Sequence, residues 1–299
     1  MITNLNVWII SFLGKENRQS TLMEHRYLQG KFYFDSRVVY VPKKFLSIVI
    51  PAYNEAKRLP ETLDWYIEFF SNVFGKDFEI IIVSDGCQDE TPKIASLYAE
   101  KYTYVKHLNF PKRLGKGRAV TEGFRIADGE IVGFVDADGS VPPESICKMI
   151  KYLDESWDGV IASRWMDGSR VVIHEPFLRK IASRAFNFLI RILFGIRFKD
   201  TQCGAKFFKR SALNAILSEL YVSDFSFDVE LLYRLLRGKF HVKEVPVMWK
   251  YRGGSKINIF RTSFQMLVSV VGLRLKFSRL YKKLNKKLIN TMYKVLRRL

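Results

Sequence analysis

Two aspartates one residue apart close the stretch "IVGFVDADGS", where an apolar run that reads as a buried strand ends at Asp136 and Asp138. Side chains two apart in extended chain point the same way, so both carboxylates can face one ion or the phosphates bound to it. Two other apolar runs end in acidic segments, "SIVIPAYNEA" with Glu55 and "EIIIVSDGCQDE" with Asp85. Four carboxylates brought to one cleft repel one another unless a positive charge sits among them. A divalent cation answers that need. Oxygen donors without an adjacent imidazole or thiolate suit Mg2+ or Mn2+ rather than zinc. Magnesium takes one or two protein carboxylates and fills its shell from substrate phosphates, so the site implies a phosphorylated substrate. D-x-D before a glycine also occurs in ordinary turns, where Asp caps the backbone and Gly139 supplies a positive φ. The strand in front of it and the two further acidic loops favour the metal reading.

A second cue is "RLGKGRAV", which sets Lys116 between Gly115 and Gly117 ahead of a helix, an arrangement of backbone amides and one cation suited to a phosphate. It is not a Walker motif, since G-x-x-x-x-G-K-[ST] is absent.

Positioning these residues requires a particular fold. "FLSIVIPAYNEAKRLPETLDWYIEFF" reads as a strand over Ser47–Ile50, stopped by Pro51, then a loop and a helix. "FEIIIVSDGCQDETPKIASLYAEKY" repeats the plan, with a strand over Ile80–Val83 and a helix whose N-cap is Thr91 and whose first residue is Pro92. A third unit runs from a strand near Val105 through a helix to "IVGFV". Alternating strands and helices without hairpin signals predict an α/β fold with a mostly parallel sheet covered on both faces. Ligands bind at the carboxyl ends of such strands, which is where the acidic segments fall.

Composition bounds the rest. A chain of 299 residues, 48% of them hydrophobic, can bury a large core and is not disordered. Its net charge of +19 is a property of the tail: the last fifty residues hold fourteen Lys and Arg, and no Asp or Glu follows Glu244. Cys87, Cys147 and Cys203 form neither a disulfide framework nor a metal knuckle, which points to a reducing compartment. The four histidines show no zinc-binding spacing. "LNVWIISFLG" is short of the roughly 20 residues a spanning helix needs and lacks the flanks of a secretory signal.

The ordered motifs "SIVIPAYNEAKRLPETL", "IIIVSDGCQDET", "GKGRAV" and "VDADGS" resemble those of the inverting family 2 glycosyltransferases, which have a Rossmann-like GT-A nucleotide-sugar-binding fold. "DTQCGAKFFKR", "FSFDVELLYR" and "VPVMWKYRGGSK" are similar to the polyprenyl-phosphate hexosyltransferases within that family, most of all the dolichyl-phosphate β-glucosyltransferases, with the mannose synthases near relatives. The likeness runs from about Leu46 to Lys276. It implies a donor site in which Pro51, Ala52, Tyr53 and Glu55 hold the nucleoside with Val83 and Gly86, and Asp85 reads the base. Asp136, Ala137 and Asp138 would hold diphosphate and metal, with Lys116, Lys206, Arg252 and Lys256 on the phosphates. Ser140 stands where the mannose synthases often carry a metal-binding glutamine, which makes it the third candidate ligand and favours glucose over mannose. Ser84-Asp85-Gly86-Cys87 replaces the Asp-Asp-Gly-Ser of many relatives.

The resemblance implies transfer of a hexose, glucose from UDP-glucose in preference to mannose from GDP-mannose, to dolichyl or polyprenyl phosphate with inversion. A phosphate monoester has a second pKa near 6, so the acceptor oxygen is already ionised at neutral pH and needs no strong base. The work left is stabilising the departing diphosphate, for which Asp136, Asp138, Arg252 and Lys256 suit; Asp200 and Asp228 are candidates to orient acceptor or sugar. Glu230 shares the Asp228 motif but also fits an ordinary helix start.

A polyprenyl acceptor demands a membrane surface. "EPFLRKIASRAFNFLIRILFGIRF" interleaves Phe177, Ile181, Phe188, Leu189, Ile192 and Phe198 with Arg179, Lys180, Arg184, Arg191 and Arg197, the pattern of one or two interfacial helices inserted over residues 175–199 or of a core helix with a basic face. Arg164, Ser183 and Arg184 are candidates for the lipid phosphate. In the tail Phe277, Tyr281, Leu284, Leu288, Met292, Val295 and Leu299 recur at helical spacing among cations, and "FQMLVSVVGLRL" is too short to span. The expected organisation is a segment of open role over residues 1–45, a glycosyltransferase domain over 46–256 and a basic amphipathic tail over 257–299. The protein is expected to be peripheral or monotopic on an anionic membrane, its site facing the cytoplasm. A DNA- or RNA-binding role is disfavoured because the tail alternates cations with large aliphatics and no nucleic-acid motif is evident.

Overall fold

The computed structural model describes residues 31–34, 37–40, 44–153, 156–173, 177–252 and 259–278. A small antiparallel pair, β1 (Lys31–Phe34) and β2 (Arg37–Tyr40), precedes the main body. Then strand and helix alternate: β3 (Lys44–Ala52), α1 (Leu59–Phe74), β4 (Phe78–Asp85), α2 (Thr91–Lys101), β5 (Val105–Phe110), α3 (Lys116–Ile126), β6 (Gly129–Val135), α4 (Pro143–Ile150) and β7 (Gly159–Ser163). The second half adds β8 (Arg170–Ile173), α5 (Phe177–Phe194), β9 (Ala205–Lys209), α6 (Arg210–Leu217), α7 (Phe227–Arg237), β10 (Val242–Pro246), β11 (Met248–Lys250) and α8 (Ile259–Lys276).

Seven strands form one sheet in the order β10-β7-β9-β6-β3-β4-β5. All neighbours are parallel except β9, which runs antiparallel between β6 and β7. The expected α/β architecture with a mostly parallel sheet is borne out. Its two-sided burial follows from alternation along each strand. Leu46, Ile48 and Ile50 of β3 enter the core beneath α1, α2 and α4, while Val49 enters the one beneath α3, α6 and α7; Ile80 and Ile82 part from Ile81 and Val83 in the same way. Each such side chain contributes about 1.5–3 kcal/mol when fully buried. That is why these strands read as unbroken apolar runs.

Two boundaries differ from the sequence expectation. Pro51 lies inside β3, opposite Val83, rather than ending it; the ladder to β6 has already stopped at Val49, and a strand end tolerates a residue without N–H. Helix α2 begins at Thr91, so Thr91 is not the N-cap. The N-cap is Glu90, which makes no side-chain cap bond; Asp89 accepts from the Thr91 amide at 3.0 Å and from its hydroxyl at 2.5 Å, and the hydroxyl oxygen in turn accepts from the amide of Glu55 at 2.8 Å.

The strand order reverses beside β3, and the ends of β3, β4, β6 and β7, with the start of β9, lie along one rim of the sheet. Helices α5 and α8 pack together and roof that rim, both contributing to the wall of the cavity it opens. Among the described residues no helix is long and apolar enough to cross a membrane. The cysteines are free, and Cys147 and Cys203 are buried.

Candidate active site

A cavity of about 560 Å³ occupies the rim, lined by residues from every acidic segment singled out above. The D-A-D-G turn at its floor is held by helix α1. Thr62 donates its hydroxyl to the carbonyl of Ala137 at 3.0 Å, and the buried Tyr66 donates to the carbonyl of Val141 at 2.6 Å. Gly139 closes the turn at φ 64°. Asp138 Oδ1 accepts from the amide and the hydroxyl of Ser140 at 3.0 and 2.6 Å. Ser140 therefore orients Asp138, and its own hydroxyl proton is spent there. Asp136 Oδ1 accepts from Lys116 at 2.7 Å, whereas its Oδ2 makes no hydrogen bond among the described residues. Glycine is required at position 204 because a Cβ there would meet Asp136 Oδ2 at 1.8 Å; the backbone of the β9 approach lies against that carboxylate.

Cations surround the acidic pair. Burial disfavours the Lys116 charge, but Asp136, Asp228 and Asp138 outweigh it and raise its pKa. Arg58 forks onto Glu55 at 2.5 and 2.7 Å and reaches within 3.8 Å of Asp138 Oδ2. Burial and then the Asp136 charge push the Asp138 carboxyl up, as two carboxylates crowded together require. Arg252 pairs with Glu61, while its Nε and Gln202 Nε2 are shielded donors on the cavity wall with no hydrogen-bond partner among the described residues.

At the β3–β4 end, Tyr53 lies under Arg113, whose guanidinium carbon is 3.6 Å from the ring centroid. Asp85 fixes that loop by accepting from the amides of Leu114 and Gly115. At the far end Arg164 forks onto Asp200 at 2.7 and 3.0 Å and reaches Ser183 on α5 at 3.4 Å.

The residues expected to form the site are thus largely brought together: Pro51, Ala52, Tyr53, Glu55, Asp85, Lys116, Asp136, Ala137, Asp138, Ser140, Arg164, Ser183, Asp228 and Arg252 all line this one cavity. Others sit elsewhere. Val83 is sealed in the sheet between its neighbours. Gly86 lies against the Arg113 backbone. Lys206, expected on the donor phosphates, is 0% exposed beneath the floor, where its amino group meets Asp228 at 2.7 Å and the Cys203 carbonyl at 2.6 Å. Asp200 is fully buried; burial pushes its carboxyl up, but the charge and hydrogen bonds of Arg164 outweigh this and hold it below the usual range. It anchors Arg164. Glu230 is buried as well and accepts from the amides of Tyr221 and Val222 and from Arg234. Arg184 packs on Trp165, 5.0 Å from its ring, and not on the cavity. Lys256 lies outside the described residues.

Arg58 and Arg113 were not singled out from the sequence. Arg58 follows Glu55 at a three-residue spacing that reads as a surface ion pair, and Arg113 sits in a cationic loop where nothing distinguishes it from Lys112.

The sequence model described as Glycosyl transferase family 2 matches residues 47–217, more than half of the chain. The chain belongs to glycosyltransferase family 2. Among family 2 relatives, it is 32% identical over 273 residues to the dolichyl-phosphate beta-glucosyltransferase of Homo sapiens, covering 85% of this chain and 84% of that one. It is 37% identical over 238 residues to the Drosophila melanogaster protein of the same description, covering 75% and 73%. The fold also matches glucosyl-3-phosphoglycerate synthase of Mycobacterium tuberculosis, solved in complex with Mn2+, UDP and glucosyl-3-phosphoglycerate, with a TM-score of 0.59 at 17% identity over 78% of this chain and 80% of that one. This family 2 chain is a glycosyltransferase with the nucleotide-sugar-binding architecture expected of it.

Proposed function

We propose that the protein transfers glucose from UDP-glucose to dolichyl phosphate with inversion at the anomeric carbon, working at a membrane surface from the cytoplasmic side. The observation that carries this reading is that the acidic pair Asp136 and Asp138 and the pair Arg164 and Ser183 share one cavity. A donor diphosphate and an acceptor phosphate can therefore meet in it. The relatives' described activity agrees with this assignment.

The residues present fit a divalent metal. Asp136 Oδ2 lacks a hydrogen bond, and Asp138 supplies a second carboxylate two residues on. Among the described residues the one thiol on the cavity wall, Cys203, is pushed by burial up to about 12 and stays protonated, which leaves a hard-oxygen donor set. No cluster of three or more His, Cys, Asp or Glu suited to a metal occurs among the described residues, as befits an ion whose shell is completed by substrate phosphates. When bound, Mg2+ or Mn2+ supplies Lewis-acid stabilisation of the leaving diphosphate. Lys116 and Arg252 add fixed positive charge there without reorganisation. Arg164, held rigid by Asp200, and Ser183 receive the lipid phosphate. Asp228, clamped by Lys206, and Gln202 face the space between for the hexose hydroxyls.

The nucleoside end rests on Tyr53 and Arg113. A desolvated cation–π contact contributes about 1–2 kcal/mol, so Arg113→Ala is expected to raise KM for the nucleotide sugar roughly 5- to 30-fold while kcat stays near wild type. Initial-rate kinetics decide it; a kcat loss at constant KM would place Arg113 outside the base site.

Membrane contact falls to α5 and α8. Phe177, Ile181, Phe188 and Ile192 recur on one face of α5 at helical spacing, and all are exposed, Phe177 at 74%. Leu267, Val271 and Leu275 form a similar exposed row on α8. α5 is one helix and not two; Leu189 turns into the cavity and Phe198 into the core. The basic stretch over 279–299 lies outside the described residues.

Purified protein given dolichyl phosphate and a panel of labelled UDP- and GDP-sugars should form a lipid-linked product from UDP-glucose with Mg2+ or Mn2+, and none after chelation. Product from GDP-mannose alone, or undiminished transfer in EDTA, would overturn the donor and the metal respectively.

A further inference from the structure

A second cavity, of about 510 Å³, adjoins the first and shares Arg164 and Trp249 with it. Its remaining polar lining comes from Trp165, Ser169, Arg170 and Lys180, and among the described residues no carboxylate contributes. Arg164 is neutralised by Asp200, but neither Arg170 nor Lys180 pairs with a carboxylate among the described residues. A third cation without a carboxylate partner among the described residues, Arg184, stands 5.0 Å from the Trp165 ring, with Lys180 5.5 Å from the same ring. Positive charges gathered round one indole repel each other, and a concave pocket with such a lining lowers its energy by taking an anion.

The rim of this cavity says what carries the anion. Val172 and Ile173 on β8 follow the cavity residues Arg170 and Val171 and are exposed at 58% and 44%. On α5, Lys180 lies between Phe177 and Ile181, both exposed. Cations in a hollow with large apolar side chains standing free beside it match an amphiphile whose head is anionic and whose tail is hydrocarbon. We infer that this cavity, beside the reaction centre and joined to it through Arg164 and Trp249, is a second phosphate site, which takes the headgroup phosphate of an anionic bilayer phospholipid on Arg170 and Lys180 and so fixes how the catalytic cleft sits on the membrane. The inference rests on the membrane reading above.

The full-length protein is floated with vesicles of phosphatidylcholine alone and with phosphatidylglycerol added. Wild type should prefer the anionic vesicles. Arg170→Gln with Lys180→Gln should weaken that binding about thirty-fold, the factor two lost cation contacts with an anionic surface produce, and leave binding to phosphatidylcholine unchanged. The charge-conserving pair Arg170→Lys with Lys180→Arg should bind as wild type. A control pair, Arg191→Gln with Arg197→Gln, removes two exposed cations away from the cavity and should cost only a few-fold. Equal losses in the two neutralised pairs would mean diffuse attraction and overturn the site. A KM for dolichyl phosphate in detergent micelles that rises in step with the lost binding would make the cavity part of the acceptor site. Tight binding of inorganic phosphate with no effect of the variants on flotation would make free phosphate the ligand. Wild type that floats with neither vesicle would refute the membrane reading itself, whereas equal flotation of wild type and the Arg170/Lys180 variant refutes only the cavity's role.

Discussion

Asp138→Asn is expected to lower metal-dependent transfer by about 10²- to 10³-fold, the scale seen when one preorganised group that stabilises transition-state charge is removed, while the protein folds as before. The substitution is informative because of what Asp138 does locally. Its Oδ1 accepts from the amide and hydroxyl of Ser140, and an Asn Oδ1 can accept both, without the added strength of the carboxylate charge. The turn, the grip of Thr62 on the Ala137 carbonyl and the placement of Asp136 all survive. Only the negative charge is lost. The loss should therefore appear in kcat and in the apparent affinity for Mn2+ measured with UDP present, and not in the melting temperature. Arg58, which keeps its fork onto Glu55, does not need Asp138 to remain paired. If Asp138→Asn keeps full transfer that still requires metal, Asp138 is not a ligand, and the reading of the D-A-D turn as a metal site fails at its centre.

How far the sequence foretold this site depends on whether the relevant physics was local. The strands β3, β4 and β6 were legible because burial on both faces demands apolar residues at every position, and "IIIV" and "IVGFV" leave little choice. The convergence of Tyr53, Asp85 and Asp136 then follows from parallel topology alone. Capping was readable to within one residue: the helix is capped at Glu90 and not at Thr91, and the contact that employs the Thr91 hydroxyl, from the Glu55 amide, spans 36 positions. What stayed hidden were the roles set by β9. Nothing in "AKFFK" says that this strand runs antiparallel between β6 and β7. That placement puts Phe207 and Phe208 into opposite cores and leaves Lys206 buried beside Phe134, its amino group 5.3 Å from the ring. A lysine in a motif beside the phosphate-binding residues looks like a phosphate ligand until the fold shows that no solvent reaches it.

Lys206 therefore yields the second large expected effect, on stability and not on donor binding. Its ammonium and the Asp228 carboxylate meet at 2.7 Å, with side chains 0% and 3% exposed. Removing one member of a buried pair leaves the other charge desolvated and alone, which costs about 3–5 kcal/mol. Lys206→Met should thus lower the unfolding free energy by that amount in urea, and the melting temperature by on the order of 10 °C. Replacing both charges, Lys206→Met with Asp228→Leu, should recover most of the stability, because an apolar pair of similar volume avoids desolvating any charge. That double variant should still be inactive, since Asp228 lines the reaction cavity and its carboxylate is gone. The alternative, direct contact of Lys206 with donor phosphates, predicts the opposite: a raised KM for UDP-glucose in Lys206→Met at unchanged stability. A single variant as stable as wild type would discard the buried-pair account and move Lys206 back among the donor ligands. Recovery of folding without recovery of activity would establish that transfer needs the Asp228 carboxylate facing the cavity and that the Lys206 charge beneath the floor is needed because that carboxylate is there.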